Sequence, residues 1–168
     1  MIPAIAADGS LYPIDKLEAH RRGALHVAVS VFVFSGPELL IQRRAAGKYH
    51  SALTWANTCC SHPHWGEAVD HAAARRLGEE LGLDVPLTAA GQISYSAVVS
   101  RGLIENERVH VFRGAADQDS VRLRVDPAEV AETRWAHPDQ LRREVAADPA
   151  AFAPWFQIYL ARWPELGL

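Results

Sequence analysis

The amino-acid sequence predicts an α+β (mixed α/β) fold, and three observations predict it. A strand-like run, Leu25 to Phe34, is largely apolar at both parities, as in a strand covered on both faces. One strongly periodic helix, Gly66 to Leu81, carries Val69, Ala73, Leu77 and Leu81 as an i, i+4 stripe. Strand-like runs then return before two helical segments near the end of the chain, so strands and helices are mixed along it.

Taken in order, Asp8-Gly9-Ser10 is a turn between two short extended pieces, and Asp15 to Arg22 is a short helix ended by Gly23. The Leu25 to Phe34 strand turns at Ser35-Gly36-Pro37 into a second strand, Glu38 to Arg43. Residues 48–64 read as a loop crowded with polar, small and aromatic side chains. After the long helix and its stop at Gly82, strands are expected near 91–99, 103–113 and 130–136, then helices near 137–144 and 153–163. The 168 residues suit a single domain, 1–168.

Composition excludes several classes. With 49% hydrophobic and 22% charged residues the chain is neither disordered nor low-complexity. Seventeen basic against 20 acidic residues leave a net charge of −3, without the basic footprint of a nucleic-acid binder, so any anionic ligand needs a local cationic cluster. Cys59 and Cys60 are neighbours, a strained pairing for a disulfide, which points to a reducing compartment. No apolar run approaches the ~20 residues of a membrane span, and Met1 to Asp8 lacks a basic leader region, so a cytoplasmic protein is expected.

Chemistry-bearing residues gather in five groups. Glu105 and Glu107 fall on one face of the 103–113 strand, roughly 6.5–7 Å apart along it, where paired carboxylates favour a cation; the plainer reading is a solvent-facing edge strand. His20, His26 and His62 precede them, and imidazole with carboxylate suits Zn²⁺, Mn²⁺ or Fe²⁺. Cys59-Cys60-Ser61-His62-Pro63-His64 could instead be half of a structural zinc site, though no second cysteine pair completes it. On the helix, Arg75/Glu79 and Arg76/Glu80 are i, i+4 pairs, the second bordering the apolar stripe, while Arg43, Arg44 and Lys48 form another basic cluster; both clusters suit a phosphate-bearing ligand.

His20, His26, the segment Thr54-Trp55-Ala56-Asn57-Thr58-Cys59-Cys60-Ser61-His62-Pro63, Glu105-Asn106-Glu107 and a late Pro154-Trp155 together resemble type I isopentenyl diphosphate isomerases, a branch of the Nudix superfamily. The resemblance runs in order from about residue 8 to residue 157. Glu67, Arg75, Leu77, Glu79, Glu80, Gly82 and Leu83 are similar to a Nudix box, which departs at Ser61, where the box opens with Gly, and at Arg76, where it carries Glu. The second departure puts ordinary pyrophosphohydrolase activity in doubt.

The resemblance implies a Nudix-like fold, a central mixed β-sheet flanked by helices, and the conversion of isopentenyl to dimethylallyl diphosphate. It implies a Mn²⁺ or Zn²⁺ held by His20, His26, His62, Glu105 and Glu107, and a Mg²⁺ that accompanies the substrate diphosphate on Glu80. Lys16, Arg44, Lys48 and Arg76 map to diphosphate-binding positions, and Cys60 with Glu107 to the catalytic pair, assisted by Tyr95 and Trp155. Glu107 with Tyr95 would protonate and Cys60 as thiolate would deprotonate, an order the sequence leaves open. Cys59 has no assigned role, and His110, on the opposite strand face from the glutamates, is expected to be structural. The implied partner is a small-molecule substrate, with neither nucleic acid nor membrane, for a monomer or homodimer. A Nudix pyrophosphohydrolase acting on a nucleoside diphosphate derivative, and a metal-binding or redox-sensing module built on the two thiols, are the competing readings.

Overall fold

A computed structural model describes residues 1–168. Strand β1 (Ile2–Ile5) and β2 (Leu11–Ile14) form the N-terminal hairpin, and helix α1 (Lys16–Arg22) follows. Asp15 caps α1 by accepting from the Glu18 backbone N–H, and Gly23 ends it at φ 61°, the left-handed region. A side chain there would also crowd Ile104, because an added Cβ lies 3.3 Å from its methyls. Strand β3 (His26–Ser35) is the spine of the nine-stranded sheet. It runs parallel to β8 (Ile104–Ala115) over its whole length, and β7 (Thr88–Val98) pairs antiparallel on the far side of β8.

On the other edge of β3 the sheet splits. Strand β4 (Glu38–Arg44) pairs with β3 only at the hairpin base, through Phe34 and Ser35, and then diverges to pair with β9 (Val130–Ala136). The gap is filled by two short strands, β5 (Trp55–Ala56) on β4 and β6 (Cys59–Ser61) on β3. Thr58 braces the split: its hydroxyl donates to the Leu40 carbonyl (2.6 Å) and accepts from the Val33 N–H (2.9 Å). Residues 48–64 are therefore not loop throughout; β5 and β6 are too short to show a period in the sequence.

The alternation of β3 supplies two cores. Val29, Val31 and Val33 face helix α2 (Val69–Leu81) with Leu77 and Leu81, whereas Ala28, Phe32 and Phe34 pack with Phe156 and Tyr159 of α4 (Pro154–Ala161). Helix α3 (Pro138–Ala147) adds Leu141 to the second core. Helix α2 begins three residues later than the periodicity predicts. Gly66 is left-handed at φ 83°, and Glu67 accepts from the His64 N–H while the Arg75 guanidinium grips its carboxylate bidentately at 2.7 and 2.8 Å. That grip holds the Glu67 carboxyl down to about 2. Glu67 and Arg75 thus organise the entry to the helix.

Candidate active site

Most of the expected site residues converge on one cleft at the split, on the α4 side of the sheet. Parity explains the convergence: His26 on β3, Cys60 on β6 and Glu105 and Glu107 on β8 share the face of Ala28, Val109 and Val111. Strand β8 lies between β3 and β7, and both glutamates are about 95% buried, so the solvent-facing edge-strand reading is excluded. The residue between them faces the other way. Asn106 donates to the Gly23 carbonyl at 3.0 Å and ties the end of α1, the helix that carries His20, to β8.

His20, His26 and His62 surround Glu107. His20 Nδ1 lies 2.7 Å from the Lys16 carbonyl and His26 Nδ1 2.7 Å from the Ala24 carbonyl. A carbonyl only accepts, so each Nδ1 carries the proton and each Nε2 presents a lone pair. His26 Nε2 stands 3.1 Å from His62 Nε2, and Glu107 Oε1 is 2.9 Å from His62 Nε2 and 3.4 Å from His26 Nε2. His20 Nε2 is buried without any partner. Ligand atoms of all four side chains lie within 4.8 Å of one another. Acceptors therefore outnumber protons in a buried space, and a cation resolves that imbalance: the residues fit a divalent metal. Burial and the Lys16 charge push His62 down to about 3, which keeps its ring neutral.

The two glutamates share one hydroxyl. Tyr95 Oη is 2.7 Å from Glu107 Oε2 and 3.1 Å from Glu105 Oε2. The hydrogen bond from His62 Nε2 holds Glu107 below the ordinary carboxylate range despite its burial, whereas burial and the charge of Glu107 raise Glu105 well above it. A proton on the pair therefore favours Glu105 over Glu107. Cys60 donates to Asn57 Oδ1 at 2.8 Å and lies 3.0 Å from Ser30 Oγ, which meets Tyr159 Oη at 2.9 Å. Burial pushes the Cys60 thiol up to about 12. With no metal bound, Cys60 thus holds a proton and Glu107 does not. Cys59 points to the opposite face, fully buried against α2 beside Glu80.

The cationic cluster lines the same cleft. Lys16, Arg44, Lys48 and Arg76 all contribute to its wall, and burial with the charges of Lys48, Arg76 and Arg44 presses Lys16 down to about 8. Crowded cations of this kind favour an incoming anion. Arg76 donates to Glu80 Oε1 at 2.7 Å, and Gln42 donates to Glu80 Oε2 at 2.8 Å and to the Thr58 carbonyl at 3.0 Å. Arg44 spends part of its fork on the chain itself, donating to the Ser51 and His50 carbonyls at 3.1 Å. Its guanidinium also stacks over the Trp155 ring, 5.1 Å from the centroid, and the buried Trp155 Nε1 has no acceptor. Arg43 leaves the cluster, donating to the Leu53 carbonyl beside Glu132. His110 faces away from the glutamates, against Gln92.

Several site residues were not found from the sequence. Glu129 pairs with Lys48 and Arg76 from a loop with no motif. Asn57 sits in the Thr54–Pro63 segment with no role readable from the sequence, and Ser30 and Tyr159 read as ordinary strand and helix residues. His50 enters the cleft from the 45–54 loop, 3.7 Å from Glu105 Oε1, and burial with the Arg44 charge lowers it to about 3.

The NUDIX domain family matches residues 24–156. The chain is 54% identical over 162 residues to the isopentenyl-diphosphate Delta-isomerase of Cereibacter sphaeroides strain ATCC 17025, covering 96% of this chain and 90% of that protein. It is 50% identical over 167 residues to the enzyme of the same name from Rhodobacter capsulatus, covering 99% and 94%. Among solved structures, a Deinococcus radiodurans protein superposes with a TM-score of 0.77 at 17% identity, covering 96% of this chain and 97% of that one. A MutT NUDIX hydrolase from Burkholderia pseudomallei superposes with a TM-score of 0.63 at 21% identity, covering 82% and 96%. These structural likenesses establish the fold.

Proposed function

This chain belongs to the NUDIX domain family and, within it, to the isopentenyl-diphosphate Delta-isomerases, and from that premise we propose how its cleft turns isopentenyl into dimethylallyl diphosphate. The reaction adds a proton at C4 of the alkene, leaving a tertiary cation at C3, and removes a proton from C2 to form the new double bond. The observation that carries the proposal is the placement of Cys60 and the Tyr95–Glu107 pair in one cleft, with four cationic side chains lining it. The cations bind the diphosphate, and burial of Tyr95 and Trp155 excludes water from the hydrocarbon end.

Cys60 and Glu107 form the acid/base pair. Asn57 and Ser30 orient the thiol, and Tyr95 orients Glu107 and passes protons to it. The indole face of Trp155 stabilises the tertiary cation. His20, His26, His62, Glu105 and Glu107 would hold a Mn²⁺ or Zn²⁺, and Glu80 a Mg²⁺ that arrives with the diphosphate. When bound, these ions supply charge neutralisation: the first fixes the two glutamates, the second offsets the phosphate oxygens. Arg76, standing where a Nudix box has Glu, favours holding a diphosphate over cleaving it. We place the enzyme in the cytoplasm as one domain over 1–168, a monomer or homodimer, with a small-molecule substrate and neither nucleic acid nor membrane as partner. Two free thiols suit that compartment, and no helix is long and apolar enough to cross a membrane.

NMR of isopentenyl diphosphate incubated with the protein in D₂O tests this. Dimethylallyl diphosphate carrying deuterium in its new methyl group is expected, lost on chelation and restored by Mg²⁺ with Zn²⁺ or Mn²⁺. Release of phosphate in place of that product, or full conversion by protein shown to be metal-free, would overturn the proposal.

A further inference from the structure

Beside the His20–His26–His62–Glu107 group lies a second set of convergent donors, of which only His50 stands outside the five-residue ligand set. Ligand atoms of His20, His50 and Glu105, all buried, fall within 4.8 Å of one another. His20 belongs to both groups and its buried Nε2 has no partner in either. His50 Nε2 stops 3.7 Å from Glu105 Oε1, too far for a hydrogen bond, so the approach gains nothing from a direct contact.

The chain holds His50 there at a cost. Ser51, the next residue, sits at φ 48°, a left-handed conformation unfavourable for a non-glycine residue. Four bonds maintain it. Arg44 donates to the carbonyls of His50 and Ser51, the Ser51 N–H donates to Ser100 Oγ at 3.0 Å, and Thr54 Oγ1 donates to the Ser51 carbonyl at 2.8 Å. Trp155 and Tyr49 meet the ring near-perpendicularly, with centroids 5.9 and 4.4 Å away, and fix its tilt. A ring fixed from every side, with one nitrogen aimed between an unpartnered imidazole and a carboxylate, is arranged as a ligand is.

We propose that His50 is a further nitrogen donor of the metal centre, acting on the ion with His20 and Glu105 and biasing the site toward ions that prefer imidazole. The inference rests on reading the histidine–glutamate cluster as a metal centre. A fourth imidazole favours Zn²⁺ and Co²⁺ over the oxygen-preferring Mg²⁺.

The test uses the full-length chain stripped of metal, with wild type, His50→Ala and His50→Phe compared. His50→Phe keeps an aromatic ring against Trp155 and Tyr49 and removes only the nitrogens. Zn²⁺ affinity is read by competition with a chromophoric chelator, the visible absorption of the Co²⁺ form reports the donor set, and thermal melts confirm folding. Both variants should bind Zn²⁺ at least ~10-fold more weakly, in the range of ~10–100-fold for a lost residue close to a metal, and should change the Co²⁺ spectrum. A His50→Phe protein that keeps the wild-type Co²⁺ spectrum overturns the assignment, whatever its affinity, because the ring then serves packing or orientation. Wild-type protein that takes up neither ion refutes the metal-centre reading itself, a separate result.

Discussion

The neighbouring thiols allow stability and chemistry to be measured apart. Cys59 is fully buried in the α2-side core, so Cys59→Ala removes one large atom from a packed interior and costs about 1–2 kcal/mol. For a chain of this size that lowers Tm by about 2–8 °C, while turnover stays within about an order of magnitude. Cys60 lies half-buried on the cleft wall, and its thiol makes one donated bond, to Asn57. Cys60→Ala leaves the fully buried Asn57 oxygen without its donor and costs about 1–3 kcal/mol. The same change should lower the isomerisation rate by at least ~10²-fold, the lower end for a positioned acid or base. Cys60→Ser keeps a donor for Asn57, so it should recover the stability and not the rate. Proton incorporation from D₂O by NMR gives the rates, and scanning calorimetry on the same samples gives Tm. The reverse pattern, Cys59→Ala inactive and Cys60→Ala near wild type, would show that the parity of β6 has been misassigned.

Two further outcomes are expected. In chelator, acid should destabilise the protein. His50 and His62 fall to about 3 from an ordinary 6.5, so the folded state binds fewer protons than the unfolded one between those limits, and stability drops as pH falls through that window. Between pH 7.5 and 5 the two rings together cost about 2–4 kcal/mol, while the raised Glu105 carboxyl works in the opposite direction, so the test is made on Glu105→Gln: a flat Tm of that variant over this range would contradict the burial of two neutral rings. Trp155→Leu should slow turnover ~30-fold or more and Trp155→Phe clearly less, because a desolvated cation–π contact is worth ~2 kcal/mol and ~1.4 kcal/mol is tenfold in rate. Equal rates at matched Tm would reduce Trp155 to packing.

What the sequence revealed follows from where periodicity operates. His26, Glu105 and Glu107 lie on long strands, whose alternation assigns a face to each side chain before any coordinates exist. Arg76 and Glu80 were placed at the border of the core by the 3.6-residue period of α2. The 45–61 segment has no such guide. Its strands are two and three residues long, and its course is set by Arg44, Thr58 and Asn57 bonding to distant backbone. His50 and Glu129 went unseen for that reason: each reaches the site through a tertiary contact that no local pattern encodes. Glu105-Asn106-Glu107 was half legible. The faces were readable, but the burial that excludes an edge strand comes from β7, and the purpose of Asn106 from α1.

The pleat of β6 also makes the 57–62 segment intolerant of any change in length. Cys60 and His62 are in phase, both pointing into the cleft, and Cys59 is out of phase with them. Deleting or inserting one residue upstream of Cys59 would rotate the whole register by half a period. The Cys59 sulfur would swing into the cleft, and the Cys60 sulfur and the His62 imidazole would leave it together. Point substitutions in this stretch can be graded in their effect, but a single-residue indel is all-or-none. Drift in the homologous segment of related chains is therefore expected to proceed by replacement alone.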